Sequence, residues 1–187
     1  MEQADVKAAC AIVYDHDKKA VLMGLRGDCN MWSFAGGKAE ATDVGDSYTA
    51  RRELAEEFGL RFDSVQPTVY VFTSSFVHQN DLGHALVPGR KSYIKNGVKY
   101  YKDAYYLSHV YLFEYNRKAV KHILKGVKDN EMDKVRWVKL EDILKVNMWP
   151  ASVVVFNVFL RHMVECGNLS TEQVRKMLGG SKERYSC

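Results

Sequence analysis

"GGKAEATDVGDSYTARRELAEEFGL", residues 36–60, is the stretch from which the fold is read. It opens on a glycine pair and ends in an acidic turn. Residues 47–58 are good helix formers, and Ala50, Leu54 and Phe58 recur every fourth position. That spacing lays one apolar stripe along a helix. Gly59 stands where a left-handed glycine closes a helix, with Leu60 placed to fold back as its apolar contact. Thr42 and Asp43 offer N-capping oxygens near the start. Glu53, Glu56 and Glu57 stand at i, i+3 and i+4, so one face carries three carboxylates. Like charges at these spacings oppose each other by roughly 0.2–0.5 kcal/mol per pair in water. A hard divalent cation, which takes oxygen ligands, relieves that repulsion.

An isolated Glu-Glu pair is ordinarily a solvated helix face. Here the pair sits inside a denser pattern: Arg52, Glu53, Leu54, Ala55, Glu56, Glu57, Phe58, Gly59, Leu60, preceded by Gly37 and Asp43. This pattern resembles the Nudix box of the Nudix hydrolases, G-x5-E-x7-R-E-U-x-E-E-x-G-U with U aliphatic. The Arg-Glu to Gly-Leu half is complete. In the other half Asp43 replaces the first glutamate, and eight residues rather than seven precede Arg52. The lengthened form, with Thr49-Ala50 just upstream, is similar to that of coenzyme A-type members.

The resemblance implies an α/β fold: an α/β/α sandwich with a mixed β-sheet, in which the box forms a loop and a helix. It implies a metal-dependent hydrolase that cleaves a pyrophosphate linkage in a nucleoside diphosphate derivative, with Mg²⁺ or Mn²⁺ as cofactor. The implied metal ligands are Glu56, Glu57 and the Gly37 backbone carbonyl, with Glu53 a further ligand or a base. Arg52 is expected to hold a box carboxylate by a charge-assisted hydrogen bond. Members often carry a general base on a later loop, which makes Glu131, ahead of "RWVKL", the candidate, with Asp133 beside it. Glu40 is placed to lie near the metals. Arg26 and Lys38 are the candidate ligand-binding cations, Arg26 for a substrate phosphate.

At 187 residues the chain reads as a single domain, residues 1–187, long enough for a sizeable core. No segment reaches the roughly 20 apolar residues of a membrane span, and the N-terminus lacks the pattern of a signal peptide. Cys10, Cys29, Cys166 and Cys187 are scattered, without a C-x-x-C pair, which argues against a zinc ribbon or a disulfide scaffold and for a reducing, cytoplasmic setting. The net charge of +4 is unevenly spread: residues 90–136 hold twelve Lys/Arg against five Asp/Glu, leaving the remainder slightly acidic. A basic field of this sort attracts polyanions, and a solvated basic surface explains it equally well.

"VKAACAIVYD" and "AVLMGLR" read as a hairpin of strands around the turn-like "DHDKK", and "MWSFAGGK" as a short strand entering the glycine loop. "TVYVFTSSFVH" reads as one or two strands. Residues 79–92 read as loop, broken by Gly83, Pro88 and Gly89. Asn96-Gly97 between β-rich flanks signals a two-residue hairpin turn, and the 79–106 segment is an insertion into the family pattern. "YYLSHVYLFEY" and "VRWVKL" are strands, and "LEDILKV" starts a helix that ends before Pro150. Two helices follow within 150–180: an apolar one over 151–166, and one opened by a Ser170/Gln173 capping box and closed by Gly179-Gly180.

The substrate is less legible. Residues 76–78 read Phe-Val-His where a dinucleoside polyphosphate enzyme would carry tyrosine, and Ser75 stands where proline would mark an ADP-ribose enzyme. The basic insertion carries Tyr93, Tyr100, Tyr101, Tyr105 and Tyr106. These are cross-strand packing partners or a flap that stacks a base and holds phosphates. The expected partner is a nucleotide small molecule. A decapping hydrolase acting on an RNA 5′ end, and a non-catalytic nucleotide-sensing module, are the alternatives. A homodimer is among the open oligomeric states.

Overall fold

The computed structural model describes residues 6–59, 63–66, 69–71, 76–115 and 132–179. Among these, β1 (Val6–Asp15) and β2 (Ala20–Arg26) form the expected hairpin, with Tyr14 opposite Val21. The glycine-loop strand divides into β3 (Trp32–Ser33) and β4 (Ala35–Lys38), and the box helix α1 spans Asp46–Phe58. Then come β5 (Asp63–Gln66) and β6 (Val69–Val71), a separate pair. The long strands β7 (Phe76–Lys95) and β8 (Val98–Tyr115) follow, then β9 (Met132–Lys139). A 3₁₀ helix (Leu140–Lys145), α2 (Pro150–Glu165) and α3 (Thr171–Gly179) complete the order.

The main sheet runs β3-β2-β1-β8-β7, with β4 added to β1 and β9 to β2. β1 and β8 are parallel and the other pairs antiparallel, so the sheet is mixed, as expected. β1 is buried on both faces, which is why it reads as a nearly continuous apolar run. Its alternate residues serve two cores. Ala9, Ala11 and Val13 meet Ala50, Leu54 and Phe58 of α1, together with Tyr111 and Phe113. Ala8, Ile12 and Tyr14 meet Phe156, Phe159, Leu160 and Met163 of α2. One helix on one face and two on the other make the α/β/α sandwich. The small side chains Ala9 and Ala11 bring the box helix close to the sheet.

Four local expectations change. Residues 79–92 are strand, not loop. Among the described residues β7 is an edge strand paired only with β8, so Pro88 sacrifices no ladder bond to a second neighbour there. Gly83, at φ 83°, forms a bulge, and Gly89 leaves room for the Tyr106 ring. Thr42 and Asp43 do not cap α1: the N-cap is Gly45, at φ 92°, and Asp43 is engaged elsewhere. "LEDILKV" forms one 3₁₀ segment rather than an α-helix. Pro150 opens α2 at a position where its missing N–H costs no helical bond, so the helix starts one residue early.

Other readings hold. Asn96 and Gly97 both take positive φ, 52° and 75°, as a type I′ turn requires. Ser170 Oγ accepts from the Gln173 N–H at 3.1 Å, and the Gln173 side chain accepts from the Ser170 N–H at 2.7 Å. Gly59, in the left-handed region, sends its N–H back to Ala55 and Leu54. The packing role given to Leu60 lies outside the described residues, as does Gly180. No helix among the described residues is long and apolar enough to cross a membrane.

Phe58 is fully buried between the sheet and the box helix. Phe58→Ala is expected to lower unfolding free energy by about 3–5 kcal/mol. Urea denaturation followed by circular dichroism checks it; a loss below about 1 kcal/mol would contradict the packing described.

Candidate active site

The site begins with the pairing of β4 to β1. Gly37 lies opposite Ala9 and Gly36 opposite Cys10, which places the glycine pair directly under α1. A Cβ at Gly37 would run into the Glu53 carboxylate. At Gly36 it would meet Cys10 Sγ at 2.6 Å and the Ala9 carbonyl at 2.8 Å. Both positions therefore need glycine for close approach rather than for turning. The Gly36 N–H donates to Glu57 Oε2 at 3.0 Å. Glu53 and Glu57 are buried, at 8% and 4% exposure, whereas Glu56 faces solvent. Burial pushes the neighbouring Cys10 thiol up to about 11, so it stays protonated.

Arg52 joins these groups. Its Nη1 lies 2.9 Å from Glu53 Oε1 and donates to Glu56 Oε2 at 2.8 Å. Its Nη2 donates to the Lys38 carbonyl at 2.9 Å. Nε and Nη2 grip the two oxygens of Asp43 at 3.1 and 3.2 Å, and Glu40 stands 3.8 Å away. One guanidinium thus ties the helix face to the loop after β4. Asp43 also accepts from the Glu40 N–H at 2.8 Å and the Thr49 hydroxyl at 2.7 Å. Burial alone would raise the Asp43 carboxyl. The hydrogen bonds from Arg52, Glu40 and Thr49 outweigh it and hold the group below the ordinary carboxylate range.

The donor set suits a hard divalent cation: the carboxylate oxygens of Glu53, Glu56 and Glu57 lie on one helix face, with the Gly37 backbone pressed against Glu53. A single guanidinium serves four carboxylates, so the cluster keeps excess negative charge for a cation to neutralise.

The other candidates divide. Lys38 is exposed, with its ammonium 5.5 Å from the centre of the Tyr106 ring. Arg26 forms a bidentate pair with Asp28 at 3.0 and 2.9 Å and lies against Trp149, so it is held beside the β2 end. Asp133 is exposed, close to Gly27. Glu131 lies outside the described residues. Sequence reasoning missed a second group: Asp46, Asp81, His84 and His109, drawn together from α1, β7 and β8. Their separations in sequence follow no ligand spacing; the β7–β8 pairing and the packing of α1 on the sheet unite them.

The NUDIX domain profile matches residues 5–157. The chain belongs to the NUDIX family. That membership carries the reaction class read from the box, a hydrolase acting on acid anhydrides. Among solved structures, the chain is similar to the NUDIX domain of Shewanella oneidensis NrtR complexed with ADP ribose, at 16% identity and a TM-score of 0.53, over 86% of this chain and 90% of that one. It is also similar to a Nudix hydrolase from M. smegmatis, RenU, at 14% identity and a TM-score of 0.52, over 88% of each. A third is a bifunctional NMN adenylyltransferase/ADP ribose pyrophosphatase from Francisella tularensis, at 16% identity and 0.53, over 86% of this chain and 42% of that one. No curated protein matches the chain in sequence.

The lowered carboxyl of Asp43 has a consequence for acid stability. Its contribution is fully present above the unfolded carboxylate pKa of about 3.9 and is lost as pH falls through the lower folded value. Asp43→Asn is therefore expected to flatten the decline of stability below about pH 4. Melting temperature against pH tests this; parallel curves for the two proteins would contradict it.

Proposed function

We propose that the chain is a Mg²⁺- or Mn²⁺-dependent pyrophosphohydrolase of a nucleoside diphosphate derivative, with Glu53, Glu56, Glu57 and the Gly37 carbonyl as metal ligands. The observation that carries this reading is the box cluster: Glu53 and Glu57 set against a glycine strand that only glycine fits, with Arg52 holding Glu53 and Glu56. A divalent ion bound there would neutralise the phosphate oxygens and acidify a water for in-line attack. The protein's own share is positioning. Glu57 is oriented by the Gly36 N–H, Glu53 and Glu56 by Arg52, and Arg52 by Asp43. Asp43 is thus a positioning residue at the loop–helix junction, whatever the extra residue before Arg52 says of a coenzyme A-type box. Glu131 is kept as the candidate general base on the sequence pattern alone. A cytoplasmic location goes with the scattered cysteines.

The β7–β8 hairpin is the candidate specificity element. Residues 92–103 are exposed on both strands, and their tip carries Lys95, Lys99 and Lys102. The tyrosines fall into two groups. Tyr93 and Tyr100 stack on each other across the strands at 5.6 Å, and Tyr106 is buried with its hydroxyl donating to the Arg90 carbonyl at 2.6 Å. Tyr101 and Tyr105 are exposed, with the Lys99 ammonium 5.5 Å from the centre of the Tyr101 ring, and these are the rings proposed to meet a base.

The deciding experiment is one incubation panel, with products read by mass: ADP-ribose, NADH, dinucleoside polyphosphates, coenzyme A, nucleoside triphosphates and capped RNA, each with Mg²⁺ and with Mn²⁺. On the best substrate, Glu56→Gln and Glu57→Gln are each expected to lower kcat by roughly 10²-fold or more. Near-wild-type turnover in both variants would refute the proposal. Changing Lys95, Lys99 and Lys102 to Ala is expected to raise KM more than it lowers kcat; an unchanged KM would leave the hairpin a packing element.

A further inference from the structure

A bulge in β7 gathers a second set of metal-type ligands on the box-helix face of the sheet. Asp81 pairs with Tyr111 and His84 with His109, so β7 spends three residues where β8 spends two. Without the extra residue, Asp81 and His84 would point to opposite faces. With it, both stand beside His109 and Tyr111. Gly83, at φ 83°, makes the bulge, and its N–H donates to Asp81 Oδ1 at 2.7 Å. Asp46, the first residue of α1, closes the group from above. Its Oδ2 lies 3.1 Å from His109 Nδ1 and 4.0 Å from His84 Nε2. The ligand atoms of Asp46, His84 and His109 all lie within 4.8 Å of one another.

The hydrogen bonding of His109 is informative. Its Nε2 lies 2.6 Å from Asp81 Oδ1, a carboxylate that can only accept, so Nε2 carries the proton. In the neutral ring, Nδ1 is then a lone pair facing the Asp46 carboxylate. Two acceptors at 3.1 Å need a positive charge between them, a proton or a metal ion. The Tyr111 hydroxyl, 3.2 Å from Nδ1, can satisfy the ring but not the carboxylate facing it. A carboxylate that fixes the tautomer of a histidine through its far nitrogen is the usual outer support of a metal-binding imidazole.

We propose that Asp46, His84 and His109 bind one divalent transition ion of the Zn²⁺ class, with Asp81 orienting His109. Two imidazoles and one carboxylate are borderline donors that suit Zn²⁺ or Co²⁺ better than Mg²⁺. Ligand atoms on a tetrahedral Zn²⁺ stand roughly 3.4 Å apart, within a side-chain rotation of the separations seen. The site is separate from the box carboxylates. Gly37, Ala9 and His109 lie in one row across β4, β1 and β8, which puts His109 about 10 Å from Gly37 at two strand spacings. An ion here would bolt the start of the box helix to the root of the β7–β8 hairpin. The field of the helix N-terminus opposes a cation, and Asp46 and Asp81 together offset it.

The test uses the untagged full chain carrying Glu56→Gln and Glu57→Gln, so that the box does not compete, with Mg²⁺ in excess. Co²⁺ is titrated alone, followed by visible absorption and calorimetry, then displaced with Zn²⁺. The expected result is one equivalent of Co²⁺ with ligand-field bands, displaced by Zn²⁺ and accompanied by a rise in melting temperature. Adding His84→Ala should abolish that equivalent. The His84 side chain is half exposed, so its removal leaves the packing intact, and Asp46→Asn provides a second variant with the same expected loss. Failure of the parent to bind Co²⁺, or equal binding after His84→Ala and Asp46→Asn, would overturn the proposal. Neither outcome depends on whether the box hydrolyses anything.

Discussion

The structure of the site depends on one guanidinium. Arg52 contacts two box glutamates, a buried aspartate and a backbone carbonyl, and these come from both the helix and the loop after β4. Without it, Asp43 and Glu53 would stand as neighbouring negative charges sheltered from solvent, with the exposed Glu56 beside them, and a buried charge left without its partner is strongly destabilising. An arginine suits the task because its planar fork can satisfy several carboxylates at once and stays charged under all working conditions. The surrounding carboxylates raise its pKa further, against the effect of its own partial burial.

The second constraint is distance. Glu53 can reach the glycine strand only because Ala9 and Ala11 let α1 sit low on the sheet, and because Gly36 and Gly37 have no side chains to hold it off. Strand pairing sets the height of β4 and helix packing sets the height of the carboxylates. Leu54 and Phe58, which anchor the helix, belong to the same turns as Glu53 and Glu57. Core and site are therefore built by alternate faces of the same residues' helix, and a shift in one is felt in the other.

Much of this was legible in the sequence because it is local. The box helix, its glycine close, the Asn96-Gly97 turn and the Ser170/Gln173 capping box each depend on residues within one or two turns of one another. What failed to show was set by pairing across the chain. Residues 79–92 carry loop-forming glycines and a proline, yet the edge position of β7 accommodates Pro88, the bulge uses Gly83, and Tyr106 fills the space at Gly89. Asp43 resembles an N-cap in sequence, but the partly buried arginine nine residues later outcompetes the helix N–H groups for its oxygens. The histidine cluster was invisible for the same reason: His84 and His109 become neighbours only through the β7–β8 register.

The central claim is that Arg52 serves the carboxylates by placing them, not by tempering their charge. The two roles give opposite signs in one measurement: Mn²⁺ binding to Arg52→Met, followed by the electron paramagnetic resonance signal of free Mn²⁺. Removing a positive charge beside the glutamates would by itself strengthen cation binding. Loss of their orientation would weaken it, by roughly 10- to 100-fold if Arg52 acts as an outer-shell support. The account predicts weaker binding in a variant that remains folded; binding equal to or tighter than that of the unaltered protein would contradict it.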